Sequence, residues 1–162
     1  MTDADNDIKK IQQRIKESLL LIFTSESDDA SDKIWLIENT SNDRLKQLIP
    51  KLSVLSLHTL EIISQNEGIK GIDIAQKLGV TKGAISKVTR KLLDYGLIRK
   101  EQRPTNLKEI YFYVTPLGAE LSKLHQQYHL ELDKKSFELF RSYDLSSLEL
   151  VADFLEKLAR LR

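Results

Sequence analysis

GIDIAQKLGVTKGAISKVTRKLLDYGLIRK, residues Gly71 to Lys100, holds two short amphipathic runs separated by Gly79 and closed by Gly96. Glycine tolerates positive φ at helix C-termini, so Gly79 ends a helix over Gly71 to Leu78, and Gly96 ends a second that Thr81 caps and that runs to about Tyr95. Successive residues on a helix advance by about 100°. Ile85, Val88 and Leu92 therefore share one side of the second helix, and Gly83, Ser86, Lys87 and Arg90 share the other. One face packs, while the other presents cations and hydrogen-bonding groups beside the small Gly83 and Ala84. A helix that enters a DNA major groove needs small residues at its leading end and side chains that reach base edges and phosphates.

The segment after this helix extends the pattern. Leu97 to Lys100 and Glu109 to Val114 read as extended, the second through its aromatic run YFYV, and the polar QRPTNLK between them makes a hairpin with a longer loop. Thr81 to Lys108 carries eight basic and two acidic residues, a net +6 inside a chain whose total is +1. Local clustering of cations, not the chain total, governs contact with a polyanion. A solvated face is the alternative reading of any basic helix. The tight turn at Gly79 and Val80, the small leading residues and the basic hairpin weigh against it here. Arg103 in the loop and Lys108 on its return are placed to reach a flanking groove or backbone.

Elsewhere the pattern is helical. Ile8, Ile11, Ile15, Leu19 and Ile22 form one stripe. Ser25 to Asp32 reads as a loop, followed around Trp35 by a short helical piece. Arg44 to Lys51 is helix-like up to Pro50, Ser56 is placed to cap a helix to about Asn66, and Gly68 stops it. Thr115 and Pro116 start a helix with Leu117, Leu121, Leu124 and Tyr128 on its stripe, and a last helix begins near Ser146 with Leu148, Val151, Leu155 and Leu158. No repeat or flexible linker divides the 162 residues, which are expected to form one domain.

Composition removes several function classes. There is no cysteine, and so no disulfide, thiolate metal site or cysteine nucleophile. No apolar run approaches the roughly 20 residues of a membrane span. MTDADNDIKK lacks the apolar core of a secretion signal, and a cytoplasmic protein is expected. There is no phosphate-cradling glycine loop, nucleophile elbow or HExxH, so no enzyme is expected.

The central arrangement resembles the winged helix-turn-helix of the MarR family of bacterial transcriptional regulators. IAQKLGV at Ile74 to Val80, TKGAISKVTRKL at Thr81 to Leu92, GLI at Gly96 to Ile98 and VTPLG at Val114 to Gly118 carry the resemblance, which extends from about Ser56 onward. It implies a mainly α fold with a small β-hairpin wing, dimeric through intertwined terminal helices. Residues 1–45 and 116–162 would then form the dimerisation helices, and 46–115 the DNA-binding lobe. The implied function is a sequence-specific double-stranded DNA-binding regulator, a repressor reading a pseudo-palindromic operator as a homodimer. A winged-helix adaptor for protein assembly is the alternative, since fold alone does not fix function. Expected DNA contacts are Thr81, Lys82, Gly83, Ser86, Lys87, Thr89 and Arg90 on the second helix and Arg103, Asn106 and Lys108 on the wing. Where the family commonly carries Asp-x-Arg at the wing tip, this chain has Asn106 and Lys108, and lysine does not replace arginine in a groove.

The apolar stripes of the terminal helices exceed what a small winged-helix core covers, which also points to a second copy. Three histidines remain. His125 and His129 lie four apart on the helix after the wing, with the spacing of a shared metal ion or of an ordinary polar surface pair. Some zinc-responsive members of the family bind metal through a His-x3-His on this helix and a ligand from the helix that His58 begins. The resemblance thus implies a zinc site at His58, His125, His129 and a carboxylate. The sequence identifies no fourth ligand; Glu61, one turn after His58, is a guess at one. A small organic effector between the dimer helices and the lobe is the other option, and the sequence does not choose between them.

Overall fold

The computed structural model describes residues 3–25 and 30–161. The chain runs α1 (Asp3–Ser25), α2 (Ala30–Asn39), α3 (Asp43–Leu48), a 3-10 turn (Ile49–Lys51), α4 (Val54–Gln65), β1 (Ile69–Lys70), α5 (Gly71–Leu78), α6 (Lys82–Asp94), β2 (Ile98–Arg103), β3 (Asn106–Val114), α7 (Pro116–Arg141) and α8 (Leu145–Ala159). The fold is a winged helix-turn-helix with long flanking helices. Its wing is an antiparallel sheet in the order β1-β3-β2.

Local signals set the helix-turn-helix. Gly79 adopts φ 64° and Gly96 φ 68°, the left-handed conformation that ends α5 and follows α6. The Thr81 hydroxyl accepts from the Ala84 amide at 3.2 Å and caps α6. Ile74 from α5, Ile85 and Leu92 from α6, Leu57, Leu60 and Ile63 from α4, and Leu121 from α7 close one core, each at most 1% exposed.

The wing is tied to α7 at its base. The Thr115 amide and hydroxyl both donate to the Leu97 carbonyl, at 3.1 Å each, and the hydroxyl also reaches the Gly96 carbonyl at 2.7 Å. A Cβ at Gly118 would lie 1.9 Å from the Leu97 oxygen, so only glycine permits this approach.

The structure corrects or refines five details. Ser53, not Ser56, caps α4; Ser56 is buried and its hydroxyl lies 2.9 Å from that of Ser53. The short piece around Trp35 is a ten-residue helix, with Leu36 fully buried, while residues 26–29 of the expected loop lie outside the described residues. The hairpin has longer strands and a tighter turn: Arg103 pairs with Asn106, leaving only Pro104 and Thr105 at the tip. A third strand, β1, pairs with β3 through Ile69 with Phe112 and Lys70 with Tyr111. The last helix starts at Leu145, where the Asp144 carboxylate accepts from the Ser147 amide.

The flanking helices differ from the lobe. Among the described residues α1 and α8 bury no side chain, and α7 buries none beyond His125. Ile11, Ile15 and Leu19 of α1 face Leu150, Val151, Phe154 and Leu155 of α8 across an apolar groove of about 620 Å³.

Candidate nucleic-acid interface and histidine cluster

The outer face of α6 carries Thr81, Lys82, Gly83, Ser86, Lys87 and Arg90, all exposed. Lys82, Lys87 and Arg90 form no ion pair with any carboxylate among the described residues, nor do Lys100, Arg103 and Lys108 of the wing. Thr81 and Ser86 are partly engaged, the first as the helix cap and the second donating to the Lys82 carbonyl at 3.0 Å. Thr89 departs from expectation. It is 4% exposed, and its hydroxyl donates to the Ile85 carbonyl at 2.9 Å, which makes it part of the inner face. The 100° step places it about 40° from Ile85, on the side away from Leu92, which widens the packed stripe toward Ser86.

On the wing Asn106 uses its side-chain oxygen locally, accepting from the Lys108 amide at 3.2 Å. Arg103 folds back so that its guanidinium lies 3.9 Å from the centre of the Tyr111 ring, and Arg99 sits likewise 4.4 Å over Tyr113. Tyr111 donates to Glu109 at 2.9 Å, and Glu109 also accepts from Lys70 at 3.1 Å. These bonds hold the Glu109 carboxyl below its usual range, through the Tyr111 hydroxyl first and Lys70 next. The same carboxylate pushes both the Lys70 ammonium and the Tyr111 phenol upward. A cleft of about 230 Å³ lies between α6 and the wing, with Lys82 and Ser86 on the helix side and Lys108, Glu109 and Lys70 on the wing side.

The three histidines converge. His58 and Glu61 from α4 meet His125 and His129 from α7, with one ligand atom from each lying within 4.8 Å of all the others. Nε2 of His125 is 3.2 Å from Nε2 of His129, and Nδ1 of His125 is 3.1 Å from a Glu61 oxygen. His125 is 1% exposed. Burial, and then the proximity of His129, push its pKa down, so the neutral imidazole that binds metals is favoured. With Nδ1 donating to Glu61, the lone pair of Nε2 points at His129, the arrangement in which a carboxylate orients a ligating imidazole. Glu61, guessed as a ligand, is thus in the cluster and engaged with the far nitrogen of His125. The donor set of three imidazoles beside a carboxylate suits zinc. Trp35 is two rings away, 5.5 Å from Tyr128, which is 5.6 Å from His129.

Sequence reasoning missed Lys70, Glu109 and Tyr111. The pairing of Lys70 with a residue 39 positions away has no local signature.

A family model described as MarR family matches residues 52–110. In Bacillus subtilis (strain 168), the HTH-type transcriptional regulator PchR is 31% identical over 110 residues, covering 68% of this chain and 64% of PchR. The uncharacterized HTH-type transcriptional regulator YhjH of the same strain is 34% identical over 93 residues, covering 57% of this chain and 53% of YhjH. The chain thus spans between about half and two thirds of the length of these relatives. Among solved structures, Streptococcus pneumoniae FabT in complex with DNA superposes with a TM-score of 0.63 over 93% of this chain and 96% of FabT, at 18% identity. At that identity the likeness speaks for the fold.

Proposed function

The chain belongs to the MarR family, and on that premise we propose that it is a DNA-binding transcriptional regulator, not an enzyme, that reads a pseudo-palindromic operator as a homodimeric repressor. The observation that carries this reading is the exposed face of α6. Among the described residues Lys82, Lys87 and Arg90 stand there without carboxylate partners, beside Gly83 and Ser86. Internally neutralised cations have little to gain from phosphate, whereas unpaired ones release condensed counterions when they meet a duplex. Arg103, Asn106 and Lys108 serve the flanking contact, and Thr89 supports the helix from within. No helix among the described residues is long and apolar enough to cross a membrane.

The groove between α1 and α8 supports a second copy as its cover, with residues 1–45 and 116–162 forming the dimer and 46–115 the reading lobe. A two-fold axis would set two α6 helices about 34 to 36 Å apart, one turn of duplex.

The histidine cluster is the reading's effector site, with zinc as the ion. His58, His125 and His129 would hold it, and Glu61 would keep His125 in the ligating tautomer. A bound divalent ion supplies coordination that ties α4 to α7. Because α4 packs on α6, this tie acts on DNA binding to the extent that zinc prefers one spacing of the two reading heads.

A fluorescence titration against the DNA upstream of the protein's own coding sequence and against a scrambled duplex, at two salt concentrations and with and without zinc, tests all three parts. Selective, salt-sensitive binding is expected, with Arg90→Ala losing roughly 1 to 3 kcal/mol on the selected duplex. Zinc should shift the affinity and change Trp35 emission, and His125→Ala should abolish both responses. Equal affinity for both duplexes in every condition defeats the regulator reading for this DNA and favours a protein-assembly adaptor. Selective binding that ignores zinc defeats only the effector.

A further inference from the structure

A carboxylate on a surface meant for a polyanion calls for a reason, and Glu109 is one. It lies in the wall of the cleft between α6 and the wing, with Lys82 and Lys108 on the rims. Point-charge reasoning alone makes it a liability, since it repels phosphate. Its contacts are structural. It accepts from Lys70, the last residue of β1 and the residue immediately before α5, and from Tyr111 of its own strand. Lys70 and Tyr111 are also cross-strand partners, so Glu109 closes a three-residue ring on one face of the sheet. Tyr111 is 8% exposed, and its ring is the seat of Arg103.

We propose that Glu109 is a positioning residue for the wing: joined to Lys70 and Tyr111, it fixes the pitch of the hairpin against the helix-turn-helix and seats Arg103, so that this carboxylate strengthens duplex binding. The proposal rests on the DNA-binding reading above. Without the ring, the outer part of β3 beyond Tyr111 has no side-chain tie to β1, and what holds the strand there is the backbone pairing at Ile69 and Lys70 with the Gly68 amide donating to the Phe112 carbonyl at 2.8 Å. Lys108 at the rim and Arg103 above Tyr111 then lose their fixed place relative to Lys82. Ordering those cations before the duplex arrives removes part of the entropy cost of binding.

Positioning and simple charge predict opposite signs. Removing a negative charge by Glu109→Gln should tighten binding if only the field matters. If Glu109 positions the wing, the same change weakens binding about two- to five-fold, the range to which the coupling of an exposed ion pair converts. Tyr111→Phe, which alters no charge and keeps the ring under Arg103, should weaken binding in the same direction by less. The exchanged pair Lys70→Glu with Glu109→Lys keeps the net charge and should recover most of the affinity. Glu109→Lys alone, despite its added positive charge, should not exceed wild type.

The measurement is anisotropy with the same labelled upstream and scrambled duplexes, together with amide hydrogen exchange of residues 98–114 in the DNA-free protein. Weaker binding by Glu109→Gln with faster exchange in β3, and recovery in the exchanged pair, are the expected results. Equal or tighter binding by Glu109→Gln overturns the proposal, as does unchanged exchange. If wild type binds neither duplex, the regulator reading falls and takes the binding half of this proposal with it. The exchange data would then judge the wing's anchoring alone.

Discussion

The lobe between α3 and the first half of α7 and the flanking helices α1 and α8 are built from similar proportions of leucine and isoleucine, yet they treat them in opposite ways. In the lobe, Leu57, Leu60, Ile63, Ile74, Ile85, Leu92 and Leu121 are essentially sealed from water. In α8, Leu150, Val151, Phe154 and Leu155 stay 41% exposed or more. A lobe that closes its own core needs nothing further to fold, whereas helices with open apolar stripes carry a surface that water disfavours. On the proposed function, the division separates reading from assembly. α7 crosses it, buried as far as His125 and exposed from Leu130 on. The histidine cluster lies at that crossing, where α7 meets α4.

The harshest test of the lobe's tightness is Gly118→Ala. The new methyl would meet the Leu97 carbonyl at 1.9 Å, a backbone atom that Thr115 holds with two hydrogen bonds. Overpacking against backbone leaves no side chain to move aside, so a loss of about 3 kcal/mol or more is expected. Thermal unfolding followed by circular dichroism measures it. A midpoint equal to wild type would mean that the wing and α7 are not locked together.

The comparison itself is broken or upheld by truncating one leucine on each side. Leu60→Ala should cost about 2 to 5 kcal/mol at any protein concentration, because its cavity opens inside one chain. Leu155→Ala should cost little in a dilute monomer, within about 0.5 kcal/mol. If a second copy covers α8, its cost rises with protein concentration, since assembly and folding are linked. Denaturant melts at two concentrations, with sedimentation to read the oligomer, separate the cases. A concentration-independent effect at Leu155 would place α8 outside any assembly.

What the sequence revealed follows the range of the forces involved. The helix-turn-helix was legible because its signals are local: a glycine free to take positive φ at 79 and at 96, and a threonine cap at 81. His125 and His129 were legible as a pair because one helix turn joins them. That His58 and Glu61 face them is a tertiary fact, since α4 and α7 are separated by the whole wing. α2 looked weak because its stability comes from Leu36 in the core and from Trp35 against Tyr128, 93 positions along the chain. Beyond Ile98, β2 is polar on both faces, so no alternation marked its true length, and β1 is two residues, Ile69 and Lys70, whose partners Phe112 and Tyr111 lie across the helix-turn-helix and β2. Ser53 and Ser56 are equally good caps by type. The structure chooses Ser53 because Ser56 points into the core. Thr89 was misplaced for a related reason: threonine is polar by type, but its hydroxyl can satisfy itself on its own helix and its methyl can pack.

An effect smaller than that of the core truncation sharpens the comparison at the joint where α6, β2 and α7 meet. The Thr115 hydroxyl accepts from the Gly118 amide at 3.1 Å and donates toward the Gly96 and Leu97 carbonyls. One oxygen thus caps the helix that leads toward the assembly surface and ties it to the chain leaving the reading helix. Thr115→Ala removes the cap and the tie and should cost about 1 kcal/mol, while Thr115→Ser keeps both and should stay within a few tenths of wild type. If stability falls as expected but the zinc response of DNA binding is unchanged, the joint holds the fold without relaying the effector. If the response is lost in Thr115→Ala and kept in Thr115→Ser, this hydroxyl is the connection by which a change at His125 and His129 reaches the reading head.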